Sequence, residues 1–186
     1  MNSVEPIKNE EDIKKLKDLL SKQNYRDYLL LVFSINTGMK ITDILSLKFS
    51  DLMNNYKHFY SSINKNNIEY ILNSFLLETL KNYYNMLEDN DDIMNTYVFK
   101  SRKGKDPIDR SHAYRILNNA AKIVGIDTNV GPHTLRKTFG YHYYKQHKDI
   151  KFLQKLFKHS SSKRTFQYIG LEELTRDIDS SKEFSL

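Results

Sequence analysis

The segment that most constrains the fold is residues 28–35, in which nearly every side chain is apolar. A helix that is apolar on all sides has to be buried by other elements. Thr37 and Gly38 follow it, and glycine is typical of the position just after a helix end. The run is far shorter than the roughly 20 residues that cross a bilayer. We therefore predict a buried central helix in a globular domain.

Apolar residues at helical spacing predict further helices along the chain. Capping residues set several of their expected ends. Four helices are predicted from spacing over residues 13–20, 74–87, 150–156 and 164–168. A short helix is predicted over 42–47, with Thr42 or Asp43 as its N-cap. Two more are predicted from their ends: one starts at Asp109 or Ser111 and stops at Gly125, and the other begins at Pro132.

One region has a different pattern, rich in aromatic and β-branched residues. Residues 58–63 and 68–72 have this composition, and the polar residues 64–67 separate them, which predicts a β-hairpin with Lys65 at its turn. A short extended piece is expected at residues 97–100, followed by a basic loop at 101–107. The predicted fold class is mainly α with a small antiparallel β-sheet.

Charge and composition restrict the function. The net charge is +6, but the last sixteen residues, 171–186, are acidic, so the rest of the chain is strongly basic and suits a polyanion partner. With no cysteine, disulfides, thiolate nucleophiles and cysteine zinc sites are excluded. The polar N-terminus is not a signal peptide, so we expect a cytoplasmic protein without membrane association.

A series of four residues near the C-terminus indicates the chemistry. His133 and Arg136 are three residues apart, so they leave the same face of the helix that Pro132 opens. His159 follows in the sequence His-Ser-Ser, and Tyr168 stands nine residues beyond it in Thr-x-x-Tyr. Each pair alone is a weak signal, whereas the series in this order is specific.

This series resembles the catalytic domain of the tyrosine recombinase, or phage integrase, family. Residues 36–45 resemble the family's first conserved box, Lys65 falls where the family has a hairpin lysine, and residues 101–125 resemble its groove-facing loop and helix. The resemblance covers most of the chain and implies the family's fold. It implies a catalytic domain over residues 1–170 and an acidic tail, 171–186, with two alternatives for the tail: it packs on a neighbouring protomer, or it is disordered.

The resemblance also implies roles for individual residues. Arg136 and Lys40 would hold the scissile phosphate, His133 and His159 would support it and handle the tyrosine proton, Lys65 would protonate the leaving 5′ oxygen, and Tyr168 would become linked to the 3′ phosphate. A tyrosine with a pKa near 10 needs such cationic neighbours to act as a nucleophile. No metal, ATP or small-molecule cofactor is implied.

Two of these positions carry an alternative. Lys40 occupies the place of the family's usual arginine, and an ammonium cannot make the two-pronged contact with phosphate that a guanidinium makes. Lys57 lies near Lys65 in the sequence and is its rival as the hairpin lysine.

A basic loop and the helix after it are expected to contact double-stranded DNA, mainly through phosphates. The alternative is an ordinary solvated loop. Histidine spacing does not suggest a metal site. The predicted DNA-binding residues are Arg102, Lys103, Lys105, Arg110, His112 and Arg115.

Two functions from different classes remain open on the sequence. The first is a site-specific DNA recombinase that works as a homo-oligomer, a tetramer, on DNA. The second is a DNA-binding module of the same fold that has lost catalysis, which Lys40 favours. A type IB topoisomerase uses similar chemistry but fits the short chain poorly. Family members usually carry a DNA-clamping domain before this one, so the chain is either a catalytic domain alone or part of a longer protein.

Overall fold

The computed structural model describes residues 4–87 and 92–175. Most of the described chain is helical, with one two-stranded sheet. The elements are α1 Glu10–Gln23, α2 Tyr25–Thr37, α3 Ile41–Leu45, α4 Phe49–Leu52, β1 Ser62–Lys65, β2 Ile68–Ile71, α5 Ser74–Asn85, α6 Arg110–Ile123, α7 Pro132–His147, α8 Ile150–Phe157 and α9 Ser162–Tyr168. Short 3-10 turns lie at Ile93–Asn95 and Glu172–Leu174.

Helix α2 is the predicted buried helix, and α1, α5 and α7 pack around it. Asn24 caps its start by accepting a hydrogen bond from the backbone N–H of Asp27, and Gly38 ends it with a φ of 61°. Leu29, Leu30 and Phe33 have no exposed surface. The uniform apolar character of residues 28–35 is thus explained by packing on every side.

The hairpin is present, but its register differs from the prediction. The first strand is Ser62–Lys65 rather than residues 58–63, and the turn consists of Asn66 and Asn67, with φ values of 55° and 61°. A two-residue hairpin turn of this kind needs positive φ, which asparagine tolerates. The prediction that Lys65 lies in the turn was therefore wrong, because Lys65 ends β1 and pairs with Ile68.

Two helix starts also differ from the sequence predictions. Helix α3 begins at Ile41 with Lys40 at the N-cap position, although no side chain caps it. Helix α9 begins at Ser162 rather than Arg164, because Ser161 accepts a hydrogen bond from the Arg164 backbone N–H and acts as the cap. The extended piece at 97–100 forms only isolated bridges, to Lys48 and Pro107.

The start of the chain is fastened across α7 and the end of α9. The Ile7 backbone N–H donates to Thr138 Oγ1 at 2.9 Å, and the Ile7 carbonyl lies 2.9 Å from His142 Nε2. Lys8 Nζ donates to the Gly170 carbonyl at 2.8 Å. These contacts fix the backbone two residues beyond Tyr168.

The core continues past residue 170, since Leu171 is buried within it. From residue 176 onward the predicted acidic tail lies outside the described residues. Within residues 4–87 and 92–175, no helix has the length and hydrophobicity needed to cross a membrane.

Candidate active site

One pocket of about 260 Å³ collects most of the residues predicted to be catalytic. It lies where the starts of α3, α6 and α7 meet the ends of α8 and α9. Its charged and titratable lining residues are Lys40, Arg110, His133, Arg136, His159 and Tyr168. Five of the six residues predicted to be catalytic are therefore brought together from segments more than a hundred residues apart.

Arg136 is the most firmly held of these side chains, with only 7% of its surface exposed. Its Nη1 donates to the Gly38 carbonyl, and its Nη2 donates to the Leu156 carbonyl at 3.2 Å. The guanidinium carbon lies 4.7 Å from the centre of the Phe157 ring. The cation thus joins the end of α2 to the end of α8 and has a fixed orientation.

His133 stands at the second position of α7, directly after Pro132. Its Nε2 lies 3.1 Å from Arg110 Nη2. A guanidinium can only donate, so Nε2 accepts and the proton of the neutral ring is on Nδ1. Desolvation, and then the charges of Arg110, Arg136 and Lys137, lower the pKa of His133 below its ordinary value.

His159 follows the end of α8, where Lys158 takes a positive φ of 59°. Its Nδ1 lies 3.2 Å from Thr165 Oγ1. Desolvation, followed by the charges of Arg164 and Arg136, lowers the pKa of His159. Both pocket histidines are therefore disposed to be neutral at neutral pH.

Tyr168 is the last residue of α9, and three side chains surround its ring. The ring centres of Phe157 and His159 lie 5.0 Å and 4.9 Å away, and Lys137 Nζ lies 5.2 Å from the ring centre. Desolvation raises the pKa of Tyr168, and the charge and hydrogen bond of Arg136 oppose that rise. In the absence of substrate the phenol is therefore protonated.

Lys40 and Lys65 are placed differently. Lys40 is exposed and lines the pocket from the start of α3, whereas Lys65 does not line it. Lys65 lies on the same face of the hairpin as Ile63 and as Tyr70, which is the cross-strand partner of Ile63. Burial raises the pKa of Tyr70, and the charge and hydrogen bond of Arg136 oppose this. The face that carries Lys65 is thus the face in contact with Arg136.

Lys57, the rival of Lys65, lies outside the hairpin strands. It has a positive φ of 62°, and its Nζ lies 5.7 Å from the centre of the Tyr84 ring. This contact directs Lys57 toward α5 rather than toward the pocket.

The phage integrase family model matches residues 8–174. The chain belongs to the phage integrase family. It is 42% identical over 176 residues to the probable integrase/recombinase YoeC of Bacillus subtilis, covering 94% of this chain and 94% of that protein. It spans only about half to two thirds of several other tyrosine recombinases that it matches.

Solved structures of recombinases share the fold of this phage integrase family member, which confirms the predicted fold class. A XerA recombinase structure superposes with a TM-score of 0.73 at 24% identity, covering 100% of this chain and 66% of that one. A lambda integrase (75–356) dimer bound to a COC′ core site has a TM-score of 0.62 at 19% identity, covering 95% of this chain and 60% of that one.

The residues predicted to bind DNA fall into two groups. Arg110 belongs to the candidate active-site pocket, where it contacts His133. The others lie outside that pocket: Arg102, Lys103, Lys105 and Arg115 are exposed, and His112 is half-buried in the first turn of α6.

Arg26, which the sequence patterns did not indicate, anchors the basic loop. It is buried, forms an ion pair with Asp27 at 2.7 Å, and donates from Nη1 to the Lys100 carbonyl at 2.8 Å. The start of the loop is therefore held against α2 while its basic side chains face solvent.

Two further residues at the pocket also had no predicted role. Lys137 directly follows Arg136 and contacts the Tyr168 ring, and Thr165 belongs to the Thr-x-x-Tyr motif. Thr165 had a signal in the sequence, through its place in the motif, and Lys137 had none. Among the described residues, no group of three histidine, aspartate or glutamate side chains is placed to hold a metal ion.

The pKa values of the two pocket histidines should respond to different arginines. We expect Arg110→Gln to raise the pKa of His133 toward its ordinary value of about 6.5 and to leave His159 unchanged. Arg164→Gln should do the reverse. Desolvation is the larger cause in both rings, so neither pKa should return fully. NMR titration of the ring signals measures both values, and equal shifts of both rings in either variant would refute the assignment.

The same shifts fix the sign of a pH effect on stability. In the folded protein the pKa values of His133 and His159 lie below the ordinary histidine value. At a pH between the folded and the ordinary value, the unfolded chain therefore binds more protons than the folded protein. The two histidines therefore lower the free energy of unfolding as the pH falls through that window, and their contribution is absent above it.

Proposed function

We propose that this chain is a site-specific DNA recombinase that cleaves and rejoins strands through a 3′-phosphotyrosyl bond on Tyr168. One observation carries the proposal. A tyrosine hydroxyl, two histidines and three cationic side chains line a single pocket, with the family membership as its context. This set suits phosphoryl transfer from a phosphodiester to a tyrosine without metal or ATP.

In the proposed cleavage step, Tyr168 Oη attacks the scissile phosphorus and loses its proton to a pocket histidine. Arg136 and Lys40 neutralise the charge that develops on the non-bridging oxygens. The bond to the 5′ oxygen breaks, and that oxygen takes a proton from Lys65. Rejoining reverses each step, with a 5′ hydroxyl as the attacking group, so the energy of the bond is conserved.

The support for Lys65 as the proton donor is its position on the hairpin. It shares a face with Tyr70, which contacts Arg136, whereas Lys57 is directed toward Tyr84. Lys65 lies outside the pocket lining. To donate a proton to the leaving 5′ oxygen, Lys65 therefore has to reach the pocket by a movement of the hairpin toward bound DNA.

The proposed assembly is a homotetramer on double-stranded DNA. The lambda integrase that shares this fold forms a dimer on its core site, which supports assembly on DNA in general. The proposed catalytic domain extends over residues 1–170 and includes Leu171, which is buried in its core; the acidic residues that follow are proposed to pack on a neighbouring protomer.

A suicide-substrate assay tests the proposed chemistry. Nicked duplex DNA from the flanks of the parent gene should trap a protein–DNA adduct that survives SDS. Tyr168→Phe should abolish the adduct, because it removes the attacking oxygen. Tyr56→Phe is the matched control, since Tyr56 is 82% exposed and lies outside the pocket.

If wild-type protein binds the DNA but forms no adduct, the second candidate, a DNA-binding module without catalysis, replaces the proposal. The observation that favours this candidate is the exposed Lys40 in the place of the family's arginine.

Lys40→Arg should accelerate cleavage about 10- to 1000-fold, by analogy with restoring one preorganised donor at a developing charge. A guanidinium supplies two parallel donors, whereas the ammonium is a single point charge. The measurement is the single-turnover rate of adduct formation at saturating DNA. An unchanged rate would show that the ammonium already supplies all the charge stabilisation the site uses.

The exposed basic loop should bind phosphates without reading the sequence. We expect Lys103→Gln or Lys105→Gln to weaken binding to all DNA sequences alike and to reduce the salt slope by about 1. Lys14→Gln on α1, outside the loop and α6, is the control. Titrations between about 50 and 200 mM salt measure the slope. A slope that matches the control would remove the loop from the interface.

A further inference from the structure

Thr165 has a hydroxyl group that contacts a pocket histidine from inside the core. It lies in α9, one helical turn before Tyr168, and has no exposed surface. Its Oγ1 is 3.2 Å from His159 Nδ1 and donates to the Ser161 carbonyl at 3.1 Å. The same hydroxyl therefore joins the nucleophile's helix to the histidine that follows α8.

The single hydrogen of this hydroxyl determines which ring nitrogen of His159 carries the proton. A threonine hydroxyl has one hydrogen and two lone pairs, and its hydrogen is directed to the Ser161 carbonyl. Only a lone pair is left to face His159, so Nδ1 must be the donor. The neutral ring then carries its proton on Nδ1, and Nε2 is left as a free base.

The surroundings of His159 supply no competing partner for this tautomer among the described contacts. The Phe157 ring, 5.6 Å away between centres, offers no hydrogen-bonding atom. The Tyr168 ring lies in a T-shaped contact, with its centre 4.9 Å away and an interplanar angle of 72°. The imidazole thus contacts the ring of Tyr168, while its Nδ1 is occupied by Thr165 of α9.

We propose that Thr165 is a positioning residue that holds neutral His159 in the Nδ1–H tautomer, so that its bare Nε2 accepts the Tyr168 proton. During cleavage the proton moves from Tyr168 Oη to Nε2 as the oxygen–phosphorus bond forms and the bond to the 5′ oxygen breaks. During rejoining Nε2 returns the proton to the departing phenolate. This inference rests on the proposed function and assigns one proton within it.

The rival explanation is that only the shape of Thr165 matters, as a small side chain that fills the core. Two substitutions separate these roles. Thr165→Val keeps the shape and removes the hydroxyl, whereas Thr165→Ser keeps the hydroxyl and removes a buried methyl group. Packing predicts that serine is the worse variant, and tautomer control predicts that valine is.

The first readout is the single-turnover rate of adduct formation at saturating DNA. We expect Thr165→Val to lose at least about tenfold, part of the 10²- to 10⁴-fold that a positioned base contributes. Thr165→Ser should keep the rate within about threefold of wild type while unfolding at a lower temperature, because it leaves a small cavity. A valine variant as fast as wild type would overturn the proposal.

The second readout needs no catalysis. Nitrogen-15 NMR of histidine-labelled protein distinguishes a protonated from a bare ring nitrogen, and His159→Gln identifies the His159 signals. Wild type should show a protonated Nδ1 and a bare Nε2, and Thr165→Val should show a mixture or the opposite tautomer. A wild-type ring with its proton on Nε2 would refute the inference even if adducts form. A protonated Nδ1 without adducts would support the tautomer held by Thr165 but refute the recombinase proposal, and with it the proton transfer from Tyr168.

Discussion

The site depends on one buried cation, the guanidinium of Arg136. Placing a charge where only 7% of the side chain is exposed is costly unless donors and acceptors are matched, and the Gly38 and Leu156 carbonyls supply the match. The Gly38 carbonyl is available because the chain turns there with a positive φ, and a Cβ at this position would lie 2.3 Å from the Phe139 ring. Packing of α2 against α7 and the orientation of the Arg136 guanidinium therefore both depend on the backbone at Gly38.

The pocket is positively charged, and its acid–base groups reflect this. Among the described residues that line it there is no aspartate or glutamate. Desolvation lowers the pKa values of both histidines, and the charges of nearby arginines lower them further. Tyr168 stays protonated because burial outweighs the effect of Arg136. The pocket thus combines two neutral histidines, a protonated tyrosine and three cationic side chains, with no carboxylate in the part of its lining that the structure describes. A phosphodiester would supply the missing negative charge.

Features that follow from residues close together in the sequence were predicted, whereas features that depend on contacts between distant segments were missed. The series His133, Arg136, His159 and Tyr168 indicated the pocket through its resemblance to the tyrosine recombinase family, and the structure brings all four together at helix ends. The hairpin turn was misplaced because four polar residues, 64–67, are equally suited to a turn, and the choice of Asn66 and Asn67 is fixed by the register of Ile63 with Tyr70. Arg26 had no signal, since its acceptor is the backbone of Lys100, 74 residues away.

Nearly every group in the pocket stands at a helix end, and this has an electrostatic consequence. Arg110 is the first residue of α6 and His133 the second residue of α7, so two helices of 14 and 16 residues direct their N-terminal ends at one pocket. Each such end carries about half a positive charge, effective within the first turn. The starts of α6 and α7 therefore add to the field of Arg136 and Lys40 at the place where a phosphate would sit, whereas the C-terminal ends of the shorter helices α8 and α9, with 8 and 7 residues, oppose part of it. A charge supplied by peptide dipoles needs no side-chain ordering, so the contribution of α6 and α7 is in place before a phosphate binds.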